Sequence, residues 1–306
     1  MNLFRLTGVG TNRNDDAHEE TSVHLHTLLL NDLPVTHADF IGRDNVVMVG
    51  HRPFVMKYDL RSETCSRKFG LSQPKLIDPH DISTISTCCV NDDWVAISGK
   101  RTRGKIYLLS SKNLELAHEI QLNCNASCIN FISGRSNHEL IASGADADVY
   151  IWDVRMIGAS GACVSRFVNE DGTASTAVSG ISNDSVNMIA VGSQSGVVSL
   201  YDYQDVCTSS SSAFKPTKAV MNLQTPISAI NFSCCAGQNI MGFSSFEKPG
   251  AMRLMHLPSK QIIPHWPNQE ARLKRVSCMD FFSLDSMVLM AIGNNRGSSL
   301  CYHVSL

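Results

Sequence analysis

The sequence lacks long apolar runs, a strong net charge and a signal-peptide-like N-terminus. Its longest apolar run, Met287–Ile292, is far shorter than the roughly 20 residues that a membrane-spanning helix needs. The formal net charge is −2 over 306 residues, so whole-domain basicity gives no argument for nucleic-acid binding. Any contact with RNA has to be local, and we expect protein partners first, with no membrane and no small-molecule substrate.

Sequence motifs for catalysis and for metal binding are also missing. There is no GxSxG, HExxH, P-loop or GxGxxG motif. The eleven cysteines contain no CxxC pair, and Cys124 and Cys128 have no second Cys or His pair at zinc-finger spacing. This pattern favours small buried thiols in a reducing compartment. We therefore expect no catalytic residue, no metal and no cofactor, and a protein that is not an enzyme.

Two local patterns allow a chemical role as an alternative to a purely structural one: a possible metal site and a possible acid–base pair. His24 and His26 would point to one face of a strand, as metal ligands could, but no further His or acidic residue lies nearby in the sequence. Asp78 and His80 could form an acid–base pair, although Pro79 between them favours an inter-blade loop. We favour the structural interpretation of both.

A repeated pentapeptide organises the chain. It consists of a hydroxyl residue, any residue, an apolar residue, Asn or Asp, and Phe, with clear copies at Thr36–Phe40, Ser127–Phe131, Ser228–Phe232 and Ser277–Phe281. Degenerate copies at Ser86–Val90 and Thr176–Gly180 fill the gaps between them. The period is therefore near 50 residues, slightly above the roughly 40–45 of propeller blades.

Each copy precedes short apolar runs separated by Gly-containing turns, which indicates hairpins of strands covered on both faces. The third run ends in an aromatic or large apolar residue followed by a polar one. We assign structural roles to Tyr58-Asp59, Trp152-Asp153 and Tyr201-Asp202: the ring packs between blades and the acid caps the next turn. In the unit of Trp152, Ala147 replaces the Gly of the usual Asp-Gly hairpin and leaves the turn type open.

These repeats predict an all-β, WD40-type β-propeller with seven blades expected and the first blade incomplete. A β-sandwich has similar strands but lacks the 50-residue repetition. We expect one propeller over 1–306, with the predicted blades at 1–32 (partial), 33–80, 81–122, 123–172, 173–224, 225–272 and 273–306. Because Asn2–Arg5 fits a third-strand ending, we also expect a truncated product or a partial gene model.

Several stretches outside the general WD pattern resemble one family. They are Gly144–Val154, Arg166–Gly172, Gly192–Val198, Lys215–Leu223 and Arg253–Ser259. The chain is similar here to the U3 small nucleolar RNA-associated protein 18 family, WD40-repeat nucleolar proteins of the small-subunit processome. The long charged N-terminal region of that family is absent from this sequence.

The resemblance implies a non-catalytic scaffold in the UTP-B subcomplex, supporting pre-rRNA processing and 18S rRNA maturation. It implies a nuclear and nucleolar location, with partners among the UTP-B and processome proteins. U3 RNA or pre-rRNA contact would be indirect or through local basic loops. A general WD40 adaptor, such as a chromatin or ubiquitin-ligase substrate reader, is the first alternative, and a propeller hydrolase is the second.

Three basic clusters are the candidate partner or RNA contacts. They are Arg101, Arg103 and Lys105; Lys215 and Lys218; and Arg272, Lys274 and Arg275. Loops on a rigid scaffold commonly carry binding, and Lys and Arg neutralise phosphate. The alternative interpretation is a set of solvated charged loops.

Overall fold

The computed structural model describes most of the chain, namely residues 2–6, 22–28, 30, 32–68, 85–99, 104–134, 137–158, 162–208, 214–233, 239–268, 271–284 and 287–304. The chain divides into two compact units, Met1–Pro34 and Val35–Leu306. In the first unit, β1 (Asn2–Leu6) and β2 (Ser22–Thr27) form an antiparallel hairpin.

The second unit is an all-β, six-bladed β-propeller. Its blades are named A to F here, and consecutive strands within each blade pair antiparallel, as favoured by short Gly-containing turns. Blade A contains β3 (Val35–Ile41), β4 (Asn45–Gly50), β5 (Val55–Asp59) and β6 (Thr64–Lys68). Blade B contains β7 (Ile85–Val90), β8 (Trp94–Gly99), β9 (Lys105–Ser110) and β10 (Leu116–Gln121). Blade C contains β11 (Ala126–Phe131), β13 (Glu139–Gly144), β14 (Asp148–Asp153) and β15 (Cys163–Val168).

The remaining blades follow the same order. Blade D contains β16 (Ser175–Ser182), β17 (Asn187–Ser193), β18 (Val197–Asp202) and β19 (Lys218–Met221), and the two-residue β12 (Ser133–Gly134) pairs parallel to β16. Blade E contains β20 (Ala229–Phe232), β21 (Ile240–Ser244), β22 (Met252–His256) and β23 (Gln261–Ile262). Blade F contains β24 (Val276–Leu284), β25 (Met287–Asn294) and β26 (Ser299–Val304). The expectation of seven blades is not confirmed, because the described strands form six blades and one separate hairpin.

Helix contributes little to the described residues. A 3-10 turn, η1 (Val154–Met156), follows β14, and one short helix, α1 (Tyr203–Thr208), follows β18. Among the described residues, no helix has both the length and the apolar character needed to cross a membrane.

The repeated pentapeptide lies on the first strand of every blade, except that its Ser228 directly precedes β20 in blade E. These first strands contact one another in order from blade A to blade F. In five of the six blades the pairing register shifts at the hydroxyl residue of the motif, which is the extra residue of a β-bulge. The hydroxyl then bonds to the neighbouring strand: Thr36 Oγ1 donates to the Val49 carbonyl at 3.3 Å, and Ser86 Oγ donates to the Ser98 carbonyl at 3.4 Å. The motif therefore encodes a bulge and its side-chain bond.

The second strand of each blade carries most of the core. All described residues of β13 and β21 are buried, and β4 and β8 are buried except for their first residue. Apolar clusters lie between neighbouring blades: Ile240 and Leu254 of blade E pack in one cluster with Phe281 and Met290 of blade F. Since each blade is covered on both sides, apolar residues occupy both faces of its strands, as the sequence predicted.

The turn that the sequence left undetermined takes the glycine-like conformation. Ala147, between β13 and β14, has φ 68°, in the left-handed region that disfavours residues with a Cβ atom. The corresponding turns of blades D and E use Gly196 at φ 89° and Gly250 at φ 70°. The blade geometry therefore imposes positive φ on alanine.

Candidate functional site

The aromatic residues at the third-strand ends lie at or near the seams between blades. Tyr201, 1% exposed, packs its ring 4.9 Å from the ring of Phe167 in blade C. Trp152 is half-buried, lies 6.5 Å from the ring of Tyr150 and packs against the cluster between blades B and C. Tyr58 is 2% exposed. These rings are held in the structure and present little surface to a ligand.

The carboxylates that follow these rings bond to their own turns. Asp59 Oδ1 accepts from the backbone N–H groups of Arg61 and Ser62, at 2.8 and 3.2 Å. Asp153 Oδ1 accepts from the Arg155 N–H at 3.0 Å. Asp202 Oδ1 accepts from the Gln204 N–H at 2.9 Å. The N–H bonds lower the pKa of Asp59, because they stabilise its charged form.

The first two basic clusters are dispersed. Arg101 and Arg103 lie outside the described residues. Lys105 forms an ion pair with Glu119 at 3.2 Å, which offsets its charge. In the second cluster, Lys218 lies opposite Leu200 on the outer strand of blade D, and exposed Lys215 precedes that strand.

The third basic cluster is tied to two turns at one end of the blades. Arg272, Lys274 and Arg275 are exposed and precede β24. The Lys274 carbonyl accepts from the Gly250 N–H at 2.7 Å, and the Arg275 carbonyl accepts from the Asn295 N–H at 3.0 Å. Lys274 has φ 56°, so the linker bends sharply between the β21–β22 and β25–β26 turns. The fold therefore fixes this cluster beside both turns.

A groove that the sequence analysis did not identify lies beside the β21–β22 turn. We call it the β19–β22 groove; its volume is about 450 Å³, and its lining is Asn222, Leu223, Gln224, Thr225, Lys248, Pro249, Gly250, Ala251 and Arg253. Arg253 Nε donates to Asn222 Oδ1 at 2.8 Å, and its Nη1 donates to the Met252 carbonyl at 2.7 Å. No sequence signal pointed to it, because its two walls are about 30 residues apart in the chain.

Two carboxylates on the first and last blades interact electrostatically. Asp39 on β3 and Asp280 on β24 occupy the same position of the repeated pentapeptide, in the first and last blades. Asp39 is exposed at its surface, but desolvation by the surrounding protein, with a smaller contribution from the charge of Asp280, raises its pKa to about 6. Asn231 Nδ2 on β20 donates to Asp280 Oδ1 at 2.8 Å, so one of these carboxylates already has a hydrogen-bond partner in the neighbouring blade.

The structure gives no support to the metal site or the acid–base pair considered from the sequence. Within the described ranges, no three His, Cys, Asp or Glu side chains come together as metal ligands would. His24 and His26 lie on β2, where only the backbone is described, and Asp78 and His80 fall outside the described residues.

The fold and these surfaces define the chain as a β-propeller of the WD-repeat type. No family model matches the sequence. The chain is similar to curated proteins named U3 small nucleolar RNA-associated protein 18, with 27% identity to the human homologue over 293 residues, 93% of this chain and 48% of that protein. The Arabidopsis thaliana homologue is 26% identical over 279 residues, 91% of this chain and 47% of that protein.

The Saccharomyces cerevisiae protein of that name is 38% identical over a shorter stretch of 109 residues, 36% of this chain and 17% of that protein. The resemblance expected from the sequence is thus confirmed. The chain spans about half the length of the human, mouse and Arabidopsis relatives, at 48%, 49% and 47%.

Proposed function

We propose that the protein is a non-catalytic scaffold in the assembly of the small ribosomal subunit, acting with U3 small nucleolar RNA in the nucleolus. The observation that carries this proposal is similarity over 90–93% of the chain to homologues in human, mouse, Arabidopsis and fission yeast that all bear the U3-associated name. In finer terms, we propose membership of the UTP-B subcomplex of the small-subunit processome and a role in pre-rRNA processing and 18S rRNA maturation.

Two features of the propeller support a scaffold role: the strand-end carboxylates serve the fold, and the turns present side chains outward. The strand-end carboxylates of Asp59, Asp153 and Asp202 bond to backbone N–H groups of their own turns, so they maintain blade geometry. The inter-blade turns present side chains outward from a rigid ring, which is the usual arrangement of a binding platform. We propose protein partners on these turns.

Among the predicted contact residues, the third basic cluster is the best placed for RNA or an acidic partner. Arg272, Lys274 and Arg275 are exposed, and within the described structure none of them forms an ion pair. Lys105 is a weaker candidate because Glu119 already pairs with it. Lys215 and Lys218 remain secondary candidates, and Arg101 and Arg103 remain predictions from the sequence alone.

The proposed function is tested by a tagged pull-down of the full chain from native cells, probed for U3 RNA and for UTP-B proteins. We expect both to be recovered. Recovery of neither, from soluble and folded protein, would contradict the processome assignment and favour a WD40 adaptor of another complex. Recovery of UTP-B proteins after RNase treatment would show that docking is by protein contact.

A further inference from the structure

The β19–β22 groove contains an arginine whose charge has no counter-ion in the described structure. The side chain of Arg253 donates to two neutral oxygens, Asn222 Oδ1 and the Met252 carbonyl. Arg155 and Arg166, by contrast, form ion pairs with Asp153 at 2.8 Å and with Asp148 at 2.5 Å. A guanidinium has five N–H donors, so Arg253 is held in a fixed orientation with donors left for a ligand.

The rest of the groove lining suits an anion. Lys248 is exposed in the β21–β22 turn, and Gln224 and Thr225 add a neutral amide and a hydroxyl. The described lining contains no carboxylate. The volume of about 450 Å³ falls within the roughly 300–1,000 Å³ of ligand pockets. Arginine with an adjacent lysine is the donor set that proteins use for phosphate.

The cationic surface continues beyond the groove. The Gly250 N–H bonds to the Lys274 carbonyl, and the Asn295 N–H bonds to the Arg275 carbonyl, so the linker carrying both residues joins this turn to the next. Arg296 lies exposed in that next turn. Glu247 is the one acidic residue of the β21–β22 turn, and it does not line the groove. A chain of phosphates could therefore extend from the groove along this edge.

Exposed apolar side chains beside the groove favour RNA over an acidic protein. Phe246, two residues before Lys248, is 42% exposed, and Met221, next to Asn222, is 79% exposed. An exposed aromatic ring beside cations offers a stacking face for an unpaired base. A duplex keeps its base faces stacked internally, so this arrangement fits a single strand.

We infer that the β19–β22 groove binds single-stranded RNA, with Arg253 and Lys248 each holding one backbone phosphate and Phe246 stacking on a base. This inference rests on the proposed function and adds to it a defined RNA-contact site. The site lies beside the Arg272–Arg275 cluster but uses residues that neither the sequence analysis nor the names of the relatives assign.

The test measures binding of a labelled oligouridylate of about 12 nucleotides to the full chain by fluorescence polarisation, at several salt concentrations. The variant K248Q/R253Q keeps hydrogen-bonding side chains and loses two positive charges. We expect binding to be at least tenfold weaker. The slope of the logarithm of affinity against the logarithm of salt concentration should be smaller by about 1.4, at about 0.7 per lost phosphate contact. Lys248→Gln alone lies on an exposed turn and should lower the slope by about 0.7, even if the double variant is unstable.

Two matched controls separate the site from general charge. K57Q/K112Q removes the same two charges from β5 and from the β9–β10 turn, and we expect its binding to match the wild type. Phe246→Ala should weaken binding by about fivefold or more through lost stacking, whereas Phe40→Ala, at another exposed phenylalanine, should not. Circular dichroism melting shows that each variant is folded.

Three results would overturn the inference. They are no oligouridylate binding by the folded wild type, equal losses in the site and control variants, and preferential binding of an oligoglutamate peptide, which would indicate an acidic protein partner. The pull-down of U3 RNA distinguishes the two proposals. U3 recovery without oligouridylate binding refutes the groove alone, whereas site-dependent oligouridylate binding without U3 recovery refutes the proposed function alone.

Discussion

At the residue scale, Ala147 occupies a backbone position that glycine would fill at lower cost. Its φ of 68° places the Cβ against the backbone, whereas glycine reaches this region freely. We expect Ala147→Gly to raise the free energy of unfolding by about 0.5–1 kcal/mol, after allowance for the greater entropy of glycine in the unfolded chain. Urea unfolding followed by circular dichroism measures this difference.

The matched control for Ala147 is the same turn of blade D. Gly196 has φ 89°, and a Cβ atom there would lie 1.9 Å from the Leu223 carbonyl oxygen. Gly196→Ala should therefore lower the free energy of unfolding by at least about 1 kcal/mol, because the backbone at Gly196 or Leu223 must move to make room. Equal and small effects of both substitutions would contradict the role assigned to positive φ.

Asp39 gives a pH-dependent prediction at the residue scale. Desolvation by the surrounding protein raises the pKa of this surface-exposed residue to about 6, above the unfolded value of 3.8, so the folded state binds more protons between these values. Ionisation of Asp39 therefore lowers stability as the pH rises from about 4 to 6. We expect Asp39→Asn to match the wild type near pH 4 and to be more stable above pH 6, as measured by urea unfolding across this range.

Asp59 should behave in the opposite way and serves as the control. Hydrogen bonds from the Arg61 and Ser62 N–H groups lower its pKa, so its charged form stabilises the folded state above pH 3.8. That contribution is lost as the pH falls through the lowered pKa. Asp59→Asn should reduce stability at pH 7 and lose its effect in acid, and a gain at pH 7 would contradict this assignment.

At the scale of elements, the Tyr201 hydroxyl joins β18 to the linker between blades C and D. It donates to Asn169 Oδ1 at 2.9 Å and accepts from the Glu170 N–H at 3.0 Å. Asn169 is 1% exposed, so its lost partner cannot be replaced readily by water. We expect Tyr201→Phe to lower the free energy of unfolding by about 1–3 kcal/mol in thermal or urea unfolding.

Tyr302 on β26 provides a comparison for Tyr201. It is half-buried and packs edge-on against Trp266 at 4.9 Å, and within the described residues its hydroxyl has no identified hydrogen-bond partner. Tyr302→Phe should change stability by no more than about 0.5 kcal/mol. If both substitutions had the same cost, the linker bond would not be the cause.

At the scale of the whole molecule, the same motif residue has different surroundings in different blades. Phe232 is 5% exposed and packs in the cluster between blades D and E, whereas Phe40, in the first blade of its unit, is 54% exposed. Phe232→Ala should lower the free energy of unfolding by about 3–5 kcal/mol through cavity formation. Phe40→Ala should cost about 1.5 kcal/mol or less, because more than half of its surface stays exposed to water.

Differential denaturation of the two alanine variants measures this contrast. Similar losses would mean that Phe40 is covered in solution as Phe232 is. The comparison separates what the pentapeptide encodes locally, an aromatic residue after a bulge, from the burial that a neighbouring blade provides.

The net charge of the whole molecule gave no indication of the best candidate site. The net charge of −2 averages acidic and basic regions, and only the fold collects Lys248, Arg253, Lys274 and Arg275 around neighbouring turns. Two of these four residues, Lys274 and Arg275, belong to a basic cluster predicted from the sequence. Lys248 gave no signal, and Arg253 was noted only as the first residue of the family-like stretch Arg253–Ser259, because a lone lysine in a turn and a lone arginine in a strand are ordinary solvated residues.

The sequence by itself determined the repeated blade. A 50-residue period, a hydroxyl at each bulge, strands apolar on both faces and a polar residue near the end of each third strand, which is Asp in three blades, are local patterns. Local hydrogen bonding and burial convert them directly into the observed strands and turns. The structure does not establish the seventh blade that this period suggested. Repetition predicts how each blade is built, but the number of blades in a ring depends on packing between them.

Only the tertiary structure decided which distant residues meet. It placed Asp39 where the charge of Asp280 acts on it, left Phe40 exposed, and set Arg253 against Asn222 across the β19–β22 groove. These contacts join segments tens to hundreds of residues apart, and they arise from the stacking of blades around a common axis. Strand patterns fix which residues face the seams and the ends of a blade, whereas the rotation from one blade to the next fixes their neighbours.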